Sequence, residues 1–337
     1  MKTFDKKLLN TKPLSERVSK SDLSLILDIN TKPPEINQEH LEKIKHLAKE
    51  IINSRKNNKP VIITFGAHLI KSGLSIIIRK MIEKKYITHL ATNGAGSIHD
   101  WELSFLGKTE EDVRKYVQEG QFGLWEETGK YINLAIINGA KNNLGYGESV
   151  GKLIHTENLD YQCISHPNKQ YSMQESAFSN NIPFTVHPCL GQDIIHTHPL
   201  CSFEAIGKTA EVDFLRFVNS VSNLEGGIYL SVGSAIMSPM IFEKALSMAR
   251  NIAHQNNKTI TNFMIVVNDI QNSGDWDWTS NIDPPKTSPA YYLRFCKTFH
   301  RMGAREMHYL QMNNSAFLLN LFSELNKLDN SNQNAYL

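Results

Sequence analysis

Six short apolar runs recur along the chain, at residues 60–64, 87–92, 182–186, 227–232, 261–267 and 306–311. Glycine, proline or polar residues bound them, and helical patterns fill the intervals. Runs this short suit strands buried on both faces of a sheet, which carry consecutive rather than alternating apolar residues. Between them, residues 38–53 repeat Leu41, Ile44, Leu47, Ala48 and Ile51 at helical spacing. Residues 71–84, 110–119, 124–139, 172–181, 211–224, 240–254, 291–301 and 315–325 also read as helices. This alternation predicts an α/β fold, a doubly wound parallel sheet with helices on both faces.

At 337 residues the chain has room for a large core, and we expect one domain over 37–327. Residues 1–36, with Pro13, Pro33 and Pro34, read as an arm that wraps a neighbouring subunit. The Asn-rich residues 328–337 read as a disordered tail. The 36 basic and 34 acidic residues leave a net charge of +2, so neither nucleic acid nor an anionic membrane is an expected partner. No apolar run approaches the roughly 18 residues of a membrane span, and the N-terminus lacks the apolar core of a secretory signal. Cys163, Cys189, Cys201 and Cys296 are scattered with no C-x-x-C pair, which suits reduced thiols in a cytoplasmic protein.

Four strand-to-loop corners carry the residues able to do chemistry. The first is Phe65-Gly66-Ala67-His68, with Lys71 and Ser72 opening the next helix; the second is Asn93-Gly94-Ala95-Gly96, followed by His99, Asp100 and Glu102. The others are residues 187–198 and 231–238. Glycines there admit a ligand's phosphate to backbone amides, although tight-turn packing is the commoner role of any one of them. None matches G-x-G-x-x-G, so a dinucleotide site here departs from the usual fingerprint. His187, Asp193, His196 and His198 offer metal-ligating groups, but their spacing is looser than zinc sites show, and we expect no metal. Asp275, Trp276, Asp277 and Trp278 combine carboxylates and indole faces suited to a cationic amine; a surface loop pinned by its tryptophans is equally compatible. Lys297 is a nucleophile only if it turns into an apolar interior.

The segments GAHLIKSG, YITHLATNGAGSIHDWELSFLG, NIPFTVHPCLGQDIIHTH and GGIYLSVGSAIMSPMIFEKAL resemble the deoxyhypusine synthase family, over roughly residues 40–325. The resemblance implies an NAD-binding doubly wound domain and a homotetramer with sites between subunits. It also implies oxidation of spermidine by NAD, with the butylimine passed through an enzyme lysine. By motif, Ala67, His68, Lys71, Ser72, Thr92, Asn93, Gly94, Gly96 and Asp193 fall where the family contacts NAD, and Asp100 falls on a site acid. Lys297 takes the place of the imine-forming lysine. The chain departs at Ile98 and His99, which replace an acidic pair. It departs again at Ile236, Met237 and Ser238, which replace the Lys-His-His of the general base, and in Gly274-Asp275-Trp276-Asp277-Trp278. The expected activity is therefore that of a divergent NAD-dependent amine-oxidising alkyl transferase, acting on spermidine or a related amine rather than making deoxyhypusine. Its expected catalytic residues are Lys297, His99 and Asp100, with Glu102, Asp275, Trp276, Asp277 and Trp278 on the substrate. An NAD-consuming hydrolase or deacylase with His99 or His196 as base, and a non-catalytic nucleotide-binding protein, are the alternatives.

Overall fold

The computed structural model describes residues 1–160, 162–279 and 282–334. All six expected strands are present: β1 (Val61–Phe65), β2 (His89–Thr92), β3 (Phe184–Val186), β4 (Ile228–Val232), β5 (Met264–Asp269) and β6 (Glu306–Gln311). They form one parallel sheet in the order β6-β5-β4-β1-β2-β3. β1 aligns Val61 with Ile228 and Phe65 with Val232 of β4, and β4 aligns Ile228 with Met264 of β5. Every residue of β1, β4 and β5 is buried, as helices on both faces require. The chain begins at β1 and builds outward through β2 and β3. It then returns beside β1 with β4, so the order reverses between β1 and β4.

The chain divides into two compact units. The first comprises residues 1–26 and 92–214. In it the supposed arm is tied to its own chain: strand Ser19–Asp22 pairs antiparallel with Lys108–Glu111, and Leu14 is 1% exposed. Arg17 explains this anchoring, because its guanidinium makes a buried two-point ion pair with Glu102, at 2.6 and 2.9 Å. Two helices escape periodicity, Gly94–Leu106 and Tyr146–Thr156. Both contain glycines that depress helix propensity, and both are held by burial. The helix expected over 110–119 begins only at Val113, where the Asp112 side chain caps it by accepting from Lys115 N.

The second unit comprises residues 27–91 and 215–337. Helix Gln38–Lys56 buries Ile44, Leu47, Ala48 and Ile51 and packs against the last helix, Asn314–Asn334. Residues 328–334 of the expected tail thus continue a helix. The Tyr86 hydroxyl donates to Asp329 within that stretch, and residues 335–337 lie outside the described residues. Among the described residues no helix is long and apolar enough to cross a membrane.

Candidate functional site

In a sheet wound in this order, ligands are received beyond the carboxyl ends of the strands where the order reverses. Here that is the end of β1 and β4, within the second unit, and both strands run into glycine. A Cβ on Gly66 would lie 2.4 Å from the Gly233 carbonyl oxygen, so any side chain there collides with backbone. Gly233 adopts φ +55°, which glycine enters without strain. A Cβ on it would also meet the Asn314 amide at 2.9 Å. The two backbones therefore approach with no side chain between them. At the end of β5, Asn268 donates from Nδ2 to the carbonyls of Leu310, at 3.1 Å, and Met312, at 2.8 Å. Its Oδ1 is buried with no hydrogen-bond partner. Leaving such an acceptor open costs about 1–3 kcal/mol, a cost that a donor on a bound ligand would relieve.

The residues expected around this corner come together in one turn. Ala67 is the N-cap of the four-residue helix His68–Lys71, and Ser72 its C-cap. Ala67, Lys71 and Ser72 are half-buried and His68 is exposed. The Ser72 hydroxyl is committed locally, donating to the His68 carbonyl at 2.7 Å.

Other expected residues of this unit are employed differently. Trp278 stacks on Tyr309 at 4.6 Å and on Phe295 at 5.9 Å, and Trp276 meets His300 edge-on. These indoles pin the loop instead of framing an amine. Asp275 and Asp277 are exposed, and Asp277 Oδ1 accepts from the Thr279 amide and hydroxyl. Lys297 stays at the edge of the apolar interior, half-buried. Its ammonium sits 3.2 Å over the Tyr291 ring, in cation–π contact.

In the first unit the start of helix Gly94–Leu106 gathers a second set. Asn93 caps it by accepting from Gly96 N at 2.9 Å. A Cβ on Gly96 would lie 2.1 Å from Thr92 Oγ1, and one on Gly94 would lie 2.0 Å from Asp193 Oδ2. The carboxyl of Asp193 thus rests against the helix N-terminus, which favours its anion. Burial opposes this and prevails, raising the Asp193 pKa to about 7. Its Oδ2 has no hydrogen-bond partner and lies 3.9 Å from His196 Nε2, which has none either. His196 Nδ1 accepts from the amides of Gly191 and Asp193, each at 3.2 Å, so in the neutral ring the proton is on Nε2. Burial lowers the His196 pKa. Tyr146 adds a fully buried phenol. Burial foremost, then the charge of Asp193, raises its pKa well above the ordinary value. The hydroxyl lies beside Ser97 without a hydrogen bond of normal geometry. A carboxyl poised near neutrality, a neutral imidazole donor and a phenol are the means of general acid–base chemistry. Tyr146 was missed by motif; its signal was the flanking pair Gly145 and Gly147, the latter with no room for a Cβ beside the Phe184 carbonyl.

Two carboxylates expected in the site are structural. Asp100 is buried and accepts from Ser172 Oγ, Met173 N, Gln174 N and Gln174 Nε2 at 2.5–3.2 Å, which caps helix Met173–Ser179. Burial raises its pKa despite those bonds. Glu102 is engaged by Arg17, by Thr109 at 2.7 Å and by Thr128 at 2.8 Å. His99 joins the same network through Nδ1, 2.7 Å from Thr109 Oγ1. The loop histidines diverge: His187 Nε2 meets Thr185 and His198 meets Glu126. Among the described residues these groups do not converge on a common point as metal ligands.

No family model and no curated protein matches the chain. Solved structures do. The ternary complex of AgrE with ornithine and NAD+ aligns at TM-score 0.50 and 16% identity, covering 88% of this chain and 34% of AgrE. This chain thus spans about a third of that protein. A candidate LOR/SDH protein from Methanococcus maripaludis S2 aligns at TM-score 0.50 and 18% identity, over 88% of this chain and 74% of its own. A candidate deoxyhypusine synthase from Entamoeba histolytica reaches TM-score 0.48 at 11% identity, over 87% and 89% of the two chains, a similarity too low to argue from. At these identities the first two establish a shared α/β fold.

Proposed function

We propose that the chain is an NAD-dependent enzyme acting on a small amine or amino acid. The observation that carries this reading is the side-chain-free crossing of Gly66 and Gly233 at the point where the sheet order reverses. Backbone approach of that kind admits a pyrophosphate, and the open Asn268 Oδ1 offers an acceptor to a hydroxyl or amide donor elsewhere on the nucleotide. The likeness to AgrE, whose complex holds ornithine and NAD+, supports a nucleotide and an amino-bearing substrate. NAD would take a hydride from the carbon bearing the amine. An amine must lose its proton before that carbon gives up hydride.

The finer reading is alkyl transfer through an imine on Lys297, in a homotetramer. Sequence motifs support it, and the half-buried ammonium on Tyr291 requires a change in the setting of Lys297. The test is purified protein with NAD+ and a panel of ornithine, arginine and spermidine, followed by NADH absorbance and by borohydride trapping. NADH formation with one amine and a mass adduct on Lys297 is expected for transfer. NADH without an adduct removes the lysine step but keeps the oxidation. Nicotinamide release without NADH points to the hydrolase reading.

A further inference from the structure

Within the second unit, His46 on helix Gln38–Lys56 faces Glu306 and His308 on β6, the edge strand of the sheet. Glu306 and His308 are two residues apart on one strand and so share a face. His46 Nε2 lies 2.7 Å and His308 Nε2 3.2 Å from the same carboxylate oxygen, Glu306 Oε2, and the three atoms lie within 4.8 Å of one another. A zinc ion with ligands at about 2.05 Å separates tetrahedral donors by about 3.4 Å, so small side-chain rotations suffice to admit it.

The surroundings fit that use. Arg305 Nε holds the other oxygen, Glu306 Oε1, at 3.0 Å. The same guanidinium is fixed by Glu50 at 2.6 Å and Asn262 at 3.1 Å. Carboxylate ligands are characteristically oriented by hydrogen bonds behind them. Glu50 offsets the charge of Arg305, so Glu306 supplies the net negative charge that a divalent cation meets. The side chains are 26–45% exposed, which gives the ion access and leaves a fourth position for water.

We propose that His46, Glu306 and His308 form a three-ligand site for a divalent first-row metal, zinc foremost, joining the first helix of this unit to its edge strand. The test is titration of chelator-stripped full-length protein with Zn2+ against a chromogenic chelator, alongside melting curves with and without Zn2+. One equivalent should bind and raise Tm. His46→Gln and His308→Gln should each weaken binding by more than the roughly 10- to 100-fold that loss of a ligand's supporting hydrogen bond costs and abolish the Zn2+-induced rise, with the metal-free Tm unchanged. No stoichiometric binding overturns the proposal. So does undiminished affinity in the His46→Gln/His308→Gln double variant, which would place any bound zinc on other histidines.

Discussion

At the scale of single residues, Asp193 holds the most informative free energy. Burial lifts its carboxyl from 3.8 to about 7, so between those values the folded chain binds a proton that the unfolded chain has lost. Stability from this residue is complete below pH 4 and declines as pH rises through 7. At about 1.4 kcal/mol per unit, the loss is on the order of 4 kcal/mol. His187, whose pKa burial depresses to about 3, acts oppositely, its contribution falling as pH drops below its unfolded value. The difference between parent and Asp193→Asn therefore isolates the carboxyl. Chemical denaturation at pH 5 and pH 8 should show the variant gaining stability relative to parent at the higher pH, and a pH-independent difference would refute the assignment. Asp100, Glu102 and Asp193 all looked alike as acids beside glycine turns. What separates them is remote: Ser172 and the amides after it occupy Asp100, and Arg17 occupies Glu102, partners 72 and 85 residues away. Arg17→Met strands the Glu102 carboxylate in the interior and should cost about 3–5 kcal/mol, read by denaturant midpoint.

At the scale of elements, the strands were legible because burial on both faces imposes unbroken apolar runs, whatever the neighbours. Helix Gly94–Leu106 was not, since Asn93-Gly94-Ala95-Gly96 reads locally as a turn. It forms because Asn93 caps it, and because Gly94 and Gly96 leave room that Asp193 and Thr92 fill. Asn93→Ala should therefore cost about 1 kcal/mol of cap energy. Gly94→Ala should do more harm, since its methyl would displace Asp193. Gly66→Ala collides with the Gly233 carbonyl, a backbone atom that cannot swing aside. We expect a loss of about 1–3 kcal/mol from that overpacking. A melting temperature within a degree of parent would show that the strand ends can part, and would remove the argument from close approach.

At the scale of the whole molecule, alternation of strand and helix revealed the fold class, but strand order depends on which edges pair. Nothing in a periodic pattern records that β4 returns beside β1. The division into two units escaped for the same reason, since each is assembled from two distant stretches. Yet the order is what makes the nucleotide reading testable. A ligand that binds only the folded chain stabilises it by about 2.7 kcal/mol when present at 100 times its Kd. For a chain of this length that corresponds to a rise of several degrees in Tm. NAD+ should produce such a rise, growing with the logarithm of its concentration. Asn268→Asp retains nearly the same volume. It gives up the two bonds to Leu310 and Met312, which lowers the ligand-free Tm. It also adds a negative charge, which should weaken the NAD+-induced rise wherever a phosphate lies near the strand ends. A full-size response in that variant would move the nucleotide away from the β1–β4 reversal, whereas no response in parent protein would end the NAD reading altogether.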